Sequence, residues 1–232
     1  MKKLIIGIVI IIILAAGAFF FFTRKSEPVT PVQTGPDTTT PTTTPSIPVN
    51  KDEQSIGQSV EGRDIIAYHF GTGDKELLFV GGIHGGYEWN TVLTAYSLVD
   101  YLKADPSIVP ANLKVTVIPV LNPDGLFETV GTEGRFTAAD VPKGADATVS
   151  GRFNANNVDL NRNFDCDWKA EGVWQTKKVS GGTAAFSEPE SLAIKNYIEA
   201  NDPEAVVVWY SSAGGVFASN CHNGVLPATN TL

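Results

Sequence analysis

Glu76-Leu77-Leu78-Phe79-Val80-Gly81-Gly82-Ile83-His84-Gly85-Gly86-Tyr87-Glu88 joins a short apolar run to a stretch with helical spacing, Trp89 to Lys103. Glu76 to Val80 reads as a buried strand, and Gly81-Gly82 ends it. In the following stretch Val92, Leu93, Tyr96, Val99 and Leu102 recur at three- and four-residue intervals, the mark of an amphipathic helix. A strand feeding a helix through glycines is the unit of an α/β fold. The flanking sequence repeats the theme. Asp64 to Phe70 predicts a strand turned by Gly71-Thr72-Gly73-Asp74. Leu113 to Leu121 predicts a β run closed by a turn at Asn122-Pro123-Asp124-Gly125. A second helix is expected from Ser187 to about Ala200, with Ser187 and Glu190 as a capping box and Pro189 in its first turn. Ala205-Val206-Val207-Val208-Trp209-Tyr210 reads as a strand buried on both faces. Together these predict a mixed central sheet flanked by helices, with function gathered at the carboxyl ends of strands.

The glycine-rich turn carries chemistry. His84 and Glu88 enter a helix directly after a buried strand, where an imidazole and a carboxylate can converge on one zinc ion. A loop histidine that merely caps the next helix is the plainer alternative. A second cluster lies at Gly151-Arg152-Phe153-Asn154-Ala155-Asn156-Asn157-Val158-Asp159-Leu160-Asn161-Arg162-Asn163-Phe164. The planar fork of arginine suits two-point binding of a carboxylate. A solvated polar loop is the bland reading.

Leu121-Asn122-Pro123-Asp124-Gly125 before that cluster and Ala185-Phe186-Ser187-Glu188-Pro189-Glu190-Ser191 after it complete a series that resembles the zinc metallocarboxypeptidases. The short gap between Gly151-Arg152 and Asp159-Leu160-Asn161-Arg162-Asn163-Phe164 looks like the carboxypeptidase D/N branch. The resemblance runs from about Ile56 to Leu232. It implies a carboxypeptidase A-like fold, zinc as cofactor, and a peptide substrate with a free C-terminal carboxylate. His84 and Glu88 match the first two metal ligands. Arg152 matches the arginine that polarises the scissile carbonyl. Asn161 and Arg162 match the pair that grips the substrate's terminal carboxylate. Asp159 is expected to orient the loop.

This chain departs from the family pattern in three ways. His84 and Glu88 are separated by one residue more than the usual His-x-x-Glu, a difference that Gly85 and Gly86 are expected to absorb. Ser211 stands where the family's third zinc ligand, a histidine, belongs, and a neutral hydroxyl is a poor zinc ligand. Of the three histidines, His69 is expected to pack in a strand. His222, eleven residues past Ser211, is either an ordinary loop residue or a substitute ligand. The family's general-base glutamate and substrate-capping tyrosine would fall beyond Leu232, so the sequence reads as a C-terminally truncated domain. Two functions follow: a metallocarboxypeptidase trimming peptides or cell-wall stem peptides, or a non-catalytic relative that binds C-terminal carboxylates.

The N-terminal fifth is organised differently. Leu4 to Phe22 is an unbroken run of 19 apolar or glycine residues between Lys2-Lys3 and Arg24-Lys25. That length can cross a hydrocarbon core, and residues 1–25 read as a retained transmembrane signal-anchor, a cleaved signal being the alternative. Residues 26–50 hold eight Thr and six Pro, a composition too poor in apolar groups to fold and suited to an extended spacer. Residues 51–232 are the folded domain, expected outside a single-pass membrane anchor. Setting aside Lys2, Lys3, Arg24 and Lys25, 13 of the 17 basic side chains face 25 acidic ones, a net −12 that argues against nucleic acid as partner. Cys166 and Cys221 read either as a disulfide or as two buried thiols.

Overall fold

The computed structural model describes residues 52–144, 146–211, 214–219 and 221. The anchor at residues 1–25, the spacer at 26–50 and His222 lie outside the described residues. Among the described residues no helix is long and apolar enough to cross a membrane.

Five strands form one mixed sheet: β1 (Glu53–Gln58), β2 (Asp64–Phe70), β3 (Lys75–Val80), β4 (Leu113–Ile118) and β7 (Ala205–Val208), in the order β1-β2-β4-β3-β7. The first two joins, β1 to β2 and β2 to β4, are antiparallel; β4, β3 and β7 run parallel. Helix α1 (Trp89–Ala104) supplies Ala95, Val99 and Leu102 to one face of the sheet, against Phe70, Val115 and Val117. Helix α3 (Pro189–Asn201) supplies Ala193, Ile194 and Tyr197 to the other, against Ile65, Ala67, Leu78, Val80 and Ile118. A sheet covered on both faces by crossover helices is the α/β arrangement that the alternating pattern required.

Val80 of β3 pairs with both Ile118 of β4 and Val208 of β7, so the three parallel strands finish level with one another. Their carboxyl ends launch the three segments that matter: Gly81 to Glu88, Asn122 onwards, and Tyr210-Ser211.

Several local expectations change. Asn122-Pro123-Asp124-Gly125 is not a simple turn; it opens helix α2 (Pro123–Val130). The Asn122 side chain accepts a hydrogen bond from Gly125 N, and Pro123 occupies the first turn where its missing N–H costs nothing. The capping box at Ser187 does not form. Ser187 Oγ is taken up by Asn163, Thr183 N and Glu188, and Glu190 is buried against Asn154 and the amide of Val60. The last strand is not buried on both faces. Among the described residues β7 pairs only with β3, and Val206 and Val207 are each 39% exposed. The sequence pattern did not announce β1 or the hairpin of β5 (Glu171–Trp174) and β6 (Lys177–Ser180), both polar and short.

Candidate active site

Residues 81–88 turn sharply off β3. Gly85 N bonds to Gly82 O, Tyr87 N bonds to His84 O, and Gly85 adopts a φ of +43° that a side chain would resist. In this turn His84 and Glu88 face each other despite the three residues between them. Both side chains are buried, and His84 Nδ1 lies 3.2 Å from Glu88 Oε2. Neither atom has a hydrogen bond to any other group; they meet only each other, as an ion pair when His84 is protonated. With the imidazole neutral, two buried acceptors stand face to face, which is costly unless a proton or a cation sits between them. Two donors that share one tetrahedral zinc at 2.0–2.2 Å lie about 3.3–3.6 Å apart, close to the spacing seen here.

On its other side His84 Nε2 meets Asp159 Oδ1 at 3.2 Å. Asp159 is fully buried and also receives Arg152, from Nε at 3.2 Å and from Nη2 at 2.9 Å. A continuous chain Glu88–His84–Asp159–Arg152 therefore crosses the site. Burial alone would lower the His84 pKa; the hydrogen bond to Asp159 and the closeness of Glu88 outweigh it and raise it. Burial would likewise raise Asp159, but the His84 bond and the Arg152 charge hold it below the ordinary carboxylate value. A ligand histidine whose second nitrogen is held by a carboxylate has its tautomer and ring plane fixed for metal binding. The sequence marked Asp159 as a loop organiser; its bridge between the two motifs was not legible from spacing alone.

Backbone contacts hold these segments together. A Cβ on Gly85 would stand 2.7 Å from both Gly125 C and Gly151 O, and one on Gly125 would stand 2.4 Å from Gly151 O. The loop from Gly81 to Glu88, the start of α2 and the Arg152 turn touch main chain to main chain.

Asn161 and Arg162 are exposed in the 3-10 turn Leu160–Arg162, which starts where Asp159 Oδ1 accepts from Asn161 N. Asn161 Oδ1 accepts a hydrogen bond from Tyr210 OH at 2.9 Å. The Tyr210 ring lies 5.7 Å from the His84 ring, so Asn161 joins the site through it. Desolvation, with the nearby Glu88 and Asp159 charges, pushes the Tyr210 phenol up to about 12, which keeps it protonated and donating. Arg162 spends one donor on Val173 O at 3.0 Å. Asn161, Arg162 and Tyr210 line a cavity of about 730 Å³ together with Ile83, Phe164 and Val208. The structure thus brings His84, Glu88, Arg152 and Asn161 into one connected set. Arg162 sits at its rim with its guanidinium turned to the hairpin.

Ser211 follows Tyr210 at the end of β7, and its hydroxyl donates to the side-chain oxygen of Asn90, two residues beyond Glu88. It reaches the neighbourhood that the third ligand would occupy but offers a donor unsuited to zinc. Among the described residues no group of three His, Cys, Asp or Glu side chains could hold a metal ion. The donor set therefore fits two positions of a zinc site and falls short at the third. Cys166 and Cys221 are joined in a disulfide across 55 residues, which resolves the two readings of the pair and ties the segment after Ser211 to the loop after Arg162.

Comparisons with known proteins bear on the family and the fold. Residues 46–221 match the family model described as zinc carboxypeptidase. Carboxypeptidase Z of Gallus gallus is 31% identical over 188 residues, covering 75% of this chain and 27% of the relative. The catalytic chain of carboxypeptidase N of Homo sapiens is 28% identical over 187 residues, covering 75% and 38%. Carboxypeptidase A of Helicoverpa armigera superposes with a TM-score of 0.56 at 25% identity, covering 78% of this chain and 45% of that structure. The chain thus spans between about a quarter and two-fifths of the length of these curated relatives. The match over residues 46–221 places the chain in the zinc carboxypeptidase family.

Proposed function

We propose that this domain is a metallocarboxypeptidase that takes peptides by their free C-terminal carboxylate, with His84 and Glu88 as zinc ligands. The observation that carries the reading is the buried pair His84 Nδ1 and Glu88 Oε2, set 3.2 Å apart with no partner but each other and linked through Asp159 to Arg152. Zinc, when bound, would supply a Lewis acid for the scissile carbonyl. This chain's own residues would do the rest. Arg152, fixed by Asp159, would stabilise the charge that develops on the carbonyl oxygen. Asn161 and Arg162, exposed at the rim, would hold the terminal carboxylate and so restrict action to chain ends. The cavity beside them has room for the terminal side chain.

The carboxylate grip has its own test. Arg162→Ala should weaken binding of a free-acid peptide by roughly tenfold or more while leaving its C-terminal amide almost unchanged, since a bond to a charged group is worth about 1.5–3 kcal/mol. Equal effects on acid and amide, measured by calorimetry, would remove Arg162 from that role.

Metal binding should also be pH-linked. The raised His84 pKa means that a proton competes for Nδ1 to a higher pH than in a free histidine. Zinc affinity is expected to rise between pH 6 and pH 8 with release of a proton. Titrations in buffers of different ionisation enthalpy read that release, and a pH-independent affinity would exclude His84 as ligand. In the metal-free chain the same shift stabilises the fold below the ordinary histidine value of about 6.5 and is lost as pH rises through the raised one.

Ser211 supports a second reading, a carboxypeptidase relative that binds peptide C-termini without cleaving them. Chelation separates the two: a peptidase loses hydrolysis of a free-acid peptide when zinc is stripped, whereas a binder keeps its affinity. Placement on the outer side of a membrane, with peptides or cell-wall stem peptides as substrates, is supported by the apolar run Leu4 to Phe22, the Thr/Pro-rich spacer and the disulfide.

A further inference from the structure

The β5–β6 hairpin contributes little to the hydrophobic core; of its eight strand residues only Val179 is buried. Its β5 strand is spent on the two arginines. Along β5 the half-buried residues are Gly172 and Trp174, two apart on one face, while Glu171 and Val173 are exposed. Trp174 lies against Arg152, with the guanidinium carbon 4.6 Å from the ring centroid. Tyr87 and Phe153 brace that ring edge-on, at centroid distances of 5.1 and 6.3 Å. Gly172 lies flat on the Arg162 stem: a Cβ there would stand 3.3 Å from Arg162 Cδ and 3.4 Å from its Nε. Between them the Val173 carbonyl accepts from Arg162 Nη2.

We propose that strand β5 is a positioning element for the peptide-binding arginines, with Trp174 holding Arg152 and Gly172 with the Val173 carbonyl holding Arg162. This rests on the carboxylate-clamp reading given above. Arginine is rich in rotamers, and a ligand that must freeze it loses affinity; a side chain fixed beforehand spares that loss. Because both contacts come from consecutive residues of one extended strand, the hairpin sets the spacing between the arginine for the carbonyl and the arginine for the terminal carboxylate. Residues two apart on a strand are separated by about 6.6 Å, and one pleated face presents both. The Asp159 pair fixes one end of Arg152; the indole covers its flat side and excludes water from it.

The two contacts serve different parts of a ligand, and that makes the proposal separable from a general role in folding. The probes are a short N-acetylated alanine peptide with a free C-terminal carboxylate and its C-terminal amide, titrated into the full chain with zinc present and absent. Trp174→Ala is expected to weaken acid and amide alike, by about twofold to thirtyfold, because Arg152 addresses a carbonyl that both share. Trp174→Phe should recover most of that loss. Gly172→Ala, which presses on the Arg162 stem, should lower the acid-to-amide affinity ratio by roughly twofold to tenfold while leaving the amide unchanged. If both variants weaken both peptides in parallel with a lower thermal midpoint, the hairpin is only structural and the proposal is overturned. Unchanged binding in both overturns it equally. Should Trp174→Ala not fold, the acid-to-amide ratio of Gly172→Ala decides alone. A wild-type chain with no preference for acid over amide removes the clamp reading and this inference together, and is seen before any variant is made.

Discussion

Ser211→His should tighten zinc binding by at least about 100-fold, because loss of a mere outer partner of a zinc ligand already costs 10–100-fold. Ser211 is at the right place for this gain. It lies three residues beyond the strand beside β3, next to Tyr210, whose ring lies 5.7 Å from His84, and its hydroxyl is bound to Asn90 in the first turn after Glu88. An imidazole there would complete two protein ligands to three and leave the fourth position open, the arrangement of a catalytic zinc site. Competition against a chromophoric chelator measures the change. A companion His84→Ala in the same background should abolish it. Affinity that does not rise would mean that the metal is not held between His84 and Glu88, or that another group already serves as the third ligand. If hydrolysis of free-acid peptides appears only in the histidine variant, the natural chain is the binder and not the peptidase.

Asp159→Asn is the second large change. Asp159 is fully buried and serves His84, Arg152 and the amide of Asn161 at once. The amide retains one acceptor but removes the charge, and it turns an N–H₂ towards either His84 or the guanidinium. Arg152, itself only 4% exposed, is then left as an uncompensated buried charge. Breaking such a pair from one side costs about 3–5 kcal/mol. For a domain of this size that is a fall of roughly 10 °C in the thermal midpoint. Zinc affinity should fall by about 10–100-fold as well, because His84 loses the group that fixes its tautomer. The pH dependence supplies a check on cause. Asp159 is held below its ordinary value, so its contribution is present above about pH 3.9 and lost as pH falls through the lower folded value. Urea unfolding across that acid range should lose this slope in the variant. A midpoint within 2 °C of the parent would show that the buried network is not what holds the two motifs together.

Much of this was legible in the sequence because the strongest patterns are local. Glu76 to Val80 with its glycines gave both a strand and its exit, and the helix from Trp89 followed from apolar spacing; both are observed. The cluster from Gly151 to Phe164 stood out through its arginines and amides. What stayed hidden depends on partners remote in the chain. Asp159 is one carboxylate in a polar run, and only the fold shows it 75 residues from His84 in sequence and in contact in space. Trp174 sits in a hairpin whose alternation is diluted by charge, so nothing local separated it from a loop. Asn122-Pro123-Asp124-Gly125 carries a helix start and a turn in the same four residues. Tertiary packing chose the helix, because Leu126 buries against Val92 and Val120. The exposure of Val206 and Val207 likewise depends on what lies beside β7, and no run of valines states that.

Main-chain packing at Gly85, Gly125 and Gly151 has a mechanical consequence. The three segments meet through backbone, with the short Thr129 side chain as the filler against Gly86 and Gly151, so none can hinge without displacing the other two. A displacement of the Arg152 turn would therefore be passed through these contacts to the turn between His84 and Glu88. An engineer wishing to restore the shorter His-x-x-Glu spacing could not do so in that loop alone; the segments around Gly125 and Gly151 would have to be redrawn with it.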